Sequence, residues 1–162
     1  MSMLSILMKS KRNEPSSKPR ADCPLCTHTE ERVIWRGAFW RLIDAQQPDY
    51  PGYMRLILNR HVTEVSWLSK IEREHLFKLL PTIDEQVCDH LAPEKINIAS
   101  LGNQVPHMHW HIIPRWKDDP HFPDSIWSPV RNTTASPDLA QRNEKLQAMF
   151  QALLPLCKKA TY

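Results

Sequence analysis

The sequence predicts an α+β fold: an antiparallel sheet of about five strands carrying one long helix and a C-terminal helix. Three observations predict it. Short β-rich runs are punctuated by turn residues, the apolar residues after Leu68 recur at helical spacing, and Ser136-Pro137-Asp138 supplies a helix-start signal. With 162 residues and 41% hydrophobic content the chain can build one genuine core, and a second is not expected.

Residues 1–21 read as a flexible leader. They are rich in Ser and Pro, and their basic stretch from Lys9 to Arg20 has no helical period, so solvation is expected rather than a nucleic-acid contact. A formal charge of +3 agrees with that and remains compatible with a small anionic substrate. Met1 to Met8 is apolar but lacks a preceding basic region and a following small-residue cleavage site, so no signal peptide is expected. No apolar run approaches the roughly 20 residues needed to span a bilayer. A cytoplasmic protein without membrane contact is the expectation.

The ordered part is expected over 22–130, with 131–162 as a C-terminal helical extension packed on it. Cys23-Pro-Leu-Cys26 opens it. Arg32 to Arg36 and Phe39 to Asp44, separated by Gly37-Ala38, read as a hairpin, and Tyr53 to Leu58 as a third strand with Met54, Leu56 and Leu58 on one face. From Leu68 the stripe Leu68, Ile71, Leu76, Leu79, Leu80, Ile83, Val87, Leu91 predicts an amphipathic helix capped by Ser69, which Pro81 should kink or split. Lys95 to Ser100 returns to strand, Leu101-Gly-Asn103 to turn, and His107 to Ile113 is a strand ended by Pro114. Ser136 then caps a last helix with Leu139, Leu146, Met149 and Leu153 as its buried stripe.

The chemistry concentrates in His107-Met-His109-Trp-His111. In a strand, alternate side chains share a face, so the three imidazoles line up while Met108, Trp110 and Ile112 pack behind them. A neutral imidazole is nucleophilic near pH 7 when its other ring nitrogen is held protonated, and attack on phosphorus would give a phosphoramidate intermediate. Alternating histidines can also share a metal ion, the arrangement of a metallohydrolase. Separately, Cys23-x-x-Cys26 is a common half of a tetrahedral zinc site and favours metal over disulfide. It needs two further ligands, for which His28 is a candidate; a reduced, metal-free pair is the alternative. Cys88 and Cys157 read as small buried or half-buried side chains.

The run His107 to Ile113, the following Pro114-Arg115, the preceding Asn97 and Gly102-Asn103-Gln104-Val105, and the strand Pro51 to His61 together resemble the histidine-triad (HIT) superfamily over about Asp22 to Arg115. That resemblance implies a HIT-like fold and a nucleotide hydrolase acting on a dinucleoside polyphosphate or nucleoside phosphoramidate through a nucleotidyl-histidine. It implies His109 as nucleophile, with His111 positioning or protonating groups around the phosphate. Asn97, Asn103 and Gln104 stand where the family turns polar side chains to phosphate oxygens, and Asp44 resembles the carboxylate that accepts ribose hydroxyls; ordinary turn roles remain open for all four.

The zinc-containing members, and the related galactose-1-phosphate uridylyltransferases, imply His61 and His107 as the remaining ligands, giving with Cys23 and Cys26 a closed structural zinc site. His107 is then either a zinc ligand or a substrate-phosphate contact. Homodimerisation is implied by the family alone. Two departures stand out: Tyr53 replaces the family's histidine after the glycine, altering any hydrogen-bond relay there, and Asn103-Gln104 replaces its commoner Gly-Gln-Ser/Thr pattern. Transfer to another acceptor, and a nucleotide-binding module without turnover, are the alternative functions.

Overall fold

The computed structural model describes residues 18–27 and 31–161. Residues 1–17 of the leader and the candidate ligand His28 lie outside the described residues. Strands β1 (Arg32–Arg36), β2 (Trp40–Asp44), β3 (Met54–Leu58), β4 (Lys95–Ala99) and β5 (His109–Arg115) form one sheet in the order β1-β2-β3-β5-β4, antiparallel at every pairing. A helical turn α1 (Pro24–Thr27) precedes the sheet, α2 (Lys70–Leu91) crosses from β3 to β4, and α3 (Leu139–Ala160) closes the chain. The α+β class and the five strands are those the sequence predicts.

The pleat divides the sheet into two faces. Trp40, Leu42, Met54, Leu56, Leu58 and Ile112 form one core with the apolar stripes of α2 and α3. Met149, Phe150, Leu153 and Cys157 bring α3 into that same core, so the C-terminal helix completes the sheet's packing and has no separate core. On the other face Ile43 and Ile57 pack with Cys23, Leu25 and Cys26, and this is the face onto which β5 turns His109 and His111.

Several elements depart from expectation for physical reasons. Pro81 does not split α2, which runs unbroken to Leu91. Its ring is exposed and it removes a single ladder bond, while Leu79, Leu80 and Ile83 around it are buried. Ile71 falls outside the buried stripe and is 43% exposed. Pro114 does not end β5, because beyond Ile112 the strand is paired only with β4, and an edge tolerates a missing N–H. Ser136 does not cap α3, which starts at Leu139 after Asp138; its hydroxyl instead bonds Asp118 and accepts from Arg142 Nη1 at 2.8 Å. Leu139 and Leu146 are only half-buried, and Cys88 is exposed.

The start of α2 is tied to the end of β3. Ser69 and Glu72 form a reciprocal capping box, and Arg60 clamps the Glu72 carboxylate at 2.6 and 2.7 Å. Trp40 Nε1 adds a bond to the Glu72 carbonyl at 3.1 Å. The Arg60 hydrogen bonds hold the buried Glu72 carboxyl down at about 2, against its desolvation. A carboxyl depressed on folding stabilises the protein above its unfolded pKa, and that contribution disappears as pH falls through the folded value. Glu72→Gln is therefore expected to cost about 1–3 kcal/mol at neutral pH. It should also flatten the loss of stability between about pH 4.5 and 2, read by urea denaturation across that range. An unchanged acid limb would show that the clamp is energetically idle.

Candidate active site and metal centre

Antiparallel pairing of β3 with β5 sets Arg55 opposite His111 and Ile57 opposite His109. Both histidines are buried, 7% exposed each, and share a face. His107, expected on the same strand, lies just before it: β5 begins at His109, and the His107 ring turns toward the cysteines. The three imidazoles thus serve two neighbouring centres.

The first centre is a chain of hydrogen bonds with one consistent proton assignment. His109 Nδ1 lies 2.6 Å from the His107 carbonyl oxygen, which only accepts, so Nδ1 carries the proton and Nε2 a lone pair. His111 Nε2, 3.1 Å from His109 Nε2, must then donate. Its Nδ1 is left to accept, and the Tyr53 hydroxyl at 2.6 Å donates to it. Burial keeps the rings neutral: it lowers the His109 pKa and takes His111 down to about 4. Burial also raises the Tyr53 phenol, so its proton stays in place. Tyr53 is delivered by the turn Tyr50-Pro51-Gly52-Tyr53, closed by a 3.0 Å main-chain bond, in which Gly52 adopts φ 77°. A Cβ at Gly52 would also meet Leu91 at 2.6 Å.

The second centre gathers Cys23, Cys26, His61 and His107, all buried, with one ligand atom from each within 4.8 Å of the others. Cys23 Sγ and Cys26 Sγ each lie 3.4 Å from His107 Nδ1, and Cys26 Sγ lies 3.3 Å from His61 Nδ1. Edges of about 3.5 Å are what a tetrahedron with metal–sulfur bonds near 2.3 Å and metal–nitrogen bonds near 2.0 Å requires. His107 Nε2 donates to the Leu58 carbonyl at 2.7 Å, which leaves the Nδ1 lone pair facing the sulfurs. Arg41, fully buried, braces the loop by donating to the carbonyl oxygens of Leu25 at 2.7 Å and Leu58 at 3.4 Å. The four side chains are able to bind a metal ion, and two thiolates with two imidazoles are a zinc-type donor set. His109 and His111 are not part of this cluster, which argues against the arrangement in which all three histidines share one ion.

A cavity of about 360 Å³ opens over the first centre, lined by Leu25, Tyr53, Arg55, the loop Leu101 to Val105, His109, His111 and Trp127. Of the polar residues expected at a phosphate, Asn103 and Gln104 line it. Their loop turns through Gly102 at φ 70°. Asn97 and Asp44 do not line it. Asn97 Oδ1 accepts from Arg115 at 2.9 Å; Asp44 accepts from the Gln46 N–H at 2.9 Å and pairs with Arg32 at 3.2 Å. Trp127, 56% exposed, stands at the rim with its ring edge-on to His111, 5.2 Å between centroids. Arg55 has no place in the sequence reading. Its alternation with Tyr53 on one strand was the available signal, and a single arginine in an apolar strand is usually taken for a solvated one.

A model of the HIT domain family matches residues 28–118. The chain is 30% identical over 93 residues to a bis(5'-adenosyl)-triphosphatase of Saccharomyces cerevisiae, 54% of this chain and 45% of that protein. It is 25% identical over 112 residues to an AP-4-A phosphorylase of Mycobacterium tuberculosis, 65% of this chain and 57% of that one. The chain thus spans about half the length of the curated relatives it matches. Among solved structures it resembles a histidine triad protein from Bradyrhizobium japonicum, with a TM-score of 0.61 and 22% identity, covering 82% of this chain and 91% of that one. It also resembles a Zn-bound histidine triad family protein from Mycobacterium smegmatis, with a TM-score of 0.56 and 18% identity, covering 82% and 95%. These likenesses concern the fold.

The proton assignment is open to direct test. In the wild-type protein the ¹⁵N shifts of the His111 ring are expected to report a neutral imidazole protonated at Nε2. Tyr53→Phe removes the donor to Nδ1 and should give a mixture of tautomers. A ring unaffected by the substitution would show that Tyr53 does not set its state.

Proposed function

The chain belongs to the HIT domain family, and on that premise we propose that its histidine cavity hydrolyses a nucleoside phosphate derivative through a nucleotidyl-histidine intermediate. The observation that carries this reading is the 2.6 Å bond from His109 Nδ1 to the His107 carbonyl, which makes Nε2 the basic nitrogen. In the proposed reaction the Nε2 lone pair attacks phosphorus, forming the P–N bond as the bond to the leaving group breaks. His111 Nε2–H, relieved of its contact with His109, is the nearest proton donor for a phosphate oxygen or the leaving group, and Tyr53 holds its ring in that tautomer. Asn103 and Gln104 supply neutral donors toward phosphate oxygens. Water then attacks the same phosphorus, the P–N bond breaks, and a nucleoside monophosphate leaves. Trp127 and Leu25 offer the apolar and aromatic surface a base or ribose would cover. Asp44 and Asn97 are left out of the substrate contacts, since their carboxylate and amide oxygens are engaged elsewhere.

A second reading, transfer to inorganic phosphate in place of water, is favoured by one observation, the similarity to an AP-4-A phosphorylase. Both reactions share the first step. We further propose zinc as the ion held by Cys23, Cys26, His61 and His107, in a structural role: four protein ligands close the coordination sphere, and the ion anchors the segment entering β5. Thiolate ligands and the unbridged Cys88 and Cys157 fit a reducing compartment such as the cytoplasm. No helix among the described residues is long and apolar enough to cross a membrane.

Diadenosine tetraphosphate and adenosine phosphoramidate, incubated with wild type and with His109→Ala, separate these possibilities by chromatography of the products. Monophosphate release by wild type, reduced about 10³-fold or more in the variant, is expected. Nucleoside diphosphate formed on adding inorganic phosphate would select the transfer reading. Binding without any product, in wild type as in the variant, would sink both and leave a binding module. For the metal, one zinc per chain is expected by elemental analysis. A chelator should remove it slowly, in step with the loss of folded structure, and Cys26→Ser should lose it. Instant loss of activity with the fold intact would contradict a structural role.

A further inference from the structure

The cavity contains one fixed charge, and that charge has no counter-ion. Among its lining residues there is no Asp, Glu or Lys, so Arg55 is its one permanently charged side chain. Every other arginine among the described residues meets a carboxylate or a main-chain carbonyl. Arg41 pairs with Glu31, Arg60 with Glu72, Arg115 with Asp119 and Arg142 with Asp118; Arg20, Arg32, Arg36, Arg73 and Arg131 have similar partners. Arg55 meets neither; its guanidinium lies 5.7 Å from the Tyr53 ring centroid, and its hydrogen bond and charge at the phenol oxygen pull the phenol's pKa down against burial. Its Nε is buried and has no hydrogen-bond partner.

A half-buried guanidinium held in an apolar strand with no carboxylate or carbonyl beside it and its Nε unbonded is a destabilising arrangement unless something anionic completes it. The planar fork suits a phosphate, which it can meet with two parallel N–H bonds. Position then decides which phosphate. The group attacked by His109 faces β5 and the Asn103-Gln104 loop, whereas Arg55 stands on β3, opposite His111 and between it and Ile43 of β2. We infer that Arg55 receives a second anionic group of the ligand, next to the reacting phosphate, and so selects phosphate-chain nucleotides over those whose phosphorus carries a neutral amine. This inference rests on the reading of the cavity as a nucleotide site and adds the class of leaving group.

The test compares wild type, Arg55→Gln and Arg55→Lys in two measurements. In the first, calorimetric titration with adenosine monophosphate and adenosine diphosphate should show wild type binding the diphosphate about ten- to a hundredfold more tightly. Arg55→Gln should lose that preference while changing monophosphate affinity less than about threefold, and Arg55→Lys should keep part of it. In the second, kcat/KM for diadenosine tetraphosphate should fall in Arg55→Gln by a similar factor, with adenosine phosphoramidate little affected. No diphosphate preference in wild type, a preference that survives Arg55→Gln, or equal losses for both nucleotides would each overturn the inference. Thermal midpoints of the variants without ligand, expected no lower than that of wild type and higher in Arg55→Gln, guard against a folding defect. If neither substrate turns over while the diphosphate preference follows Arg55, hydrolysis fails and the anion site stands.

Discussion

The contact on which the site depends is the one between His109 Nδ1 and the carbonyl of His107. A main-chain carbonyl cannot donate, so this 2.6 Å bond fixes which nitrogen of His109 carries the proton and leaves the other directed at the cavity. The same residue, His107, sends its ring the other way, Nδ1 toward the thiols of Cys23 and Cys26 and Nε2 to Leu58. One residue thereby joins the metal-competent cluster to the base beside it, through its ring on one side and its backbone on the other. A shift of the cysteine loop would move that carbonyl, and with it the proton assignment.

The surrounding fold keeps this residue in place. Leu58, at the end of β3, accepts from His107 and Arg41 through its carbonyl and donates its N–H to Met108 at 3.0 Å, so the central strand of the sheet and the cysteine loop share one anchor. Two residues further, Arg60 and Glu72 attach the start of α2 to the same corner. The segment between, which includes His61, is therefore held from both ends. α3 lies on the far face and contributes packing, with Met149, Leu153 and Cys157 fully buried. Burial raises the Cys157 thiol to about 12, consistent with an inert core side chain.

The cavity differs in kind from the metal cluster beside it. Its charge is a lone guanidinium, and its polar groups are neutral donors and two neutral imidazoles that bond each other, with Tyr53 at the His111 end. The phenol does what a second imidazole could do at that end of the chain: it donates one proton to His111 Nδ1. It differs in remaining protonated across the physiological range, because burial raises its pKa further. A phenol can donate or accept, so the direction of this relay is set at its other end, where the His109 lone pair obliges His111 Nε2 to donate and leaves Nδ1 to accept.

Most of the architecture was legible in the sequence because it is written in local periodicity. The alternation in Met54, Leu56 and Leu58, the helical stripe from Leu68 to Leu91, and the Ser69 cap each describe a segment that has only one face to bury. The histidine run and Cys23-x-x-Cys26 were legible for the same reason, as short-range patterns of residues with distinctive chemistry. Local patterns misled where a neighbour outweighed them: Pro81 left α2 intact, Pro114 stayed in its strand, and Ser136 gave its hydroxyl to Asp118. Only the tertiary structure decided which imidazole belongs to which centre, that Tyr53 meets His111 across 58 positions of sequence, and that Arg55, alone among the described arginines, meets no carboxylate or main-chain carbonyl. Those facts depend on strand register and on partners distant along the chain, and a sequence carries no local signal for a partner that is missing.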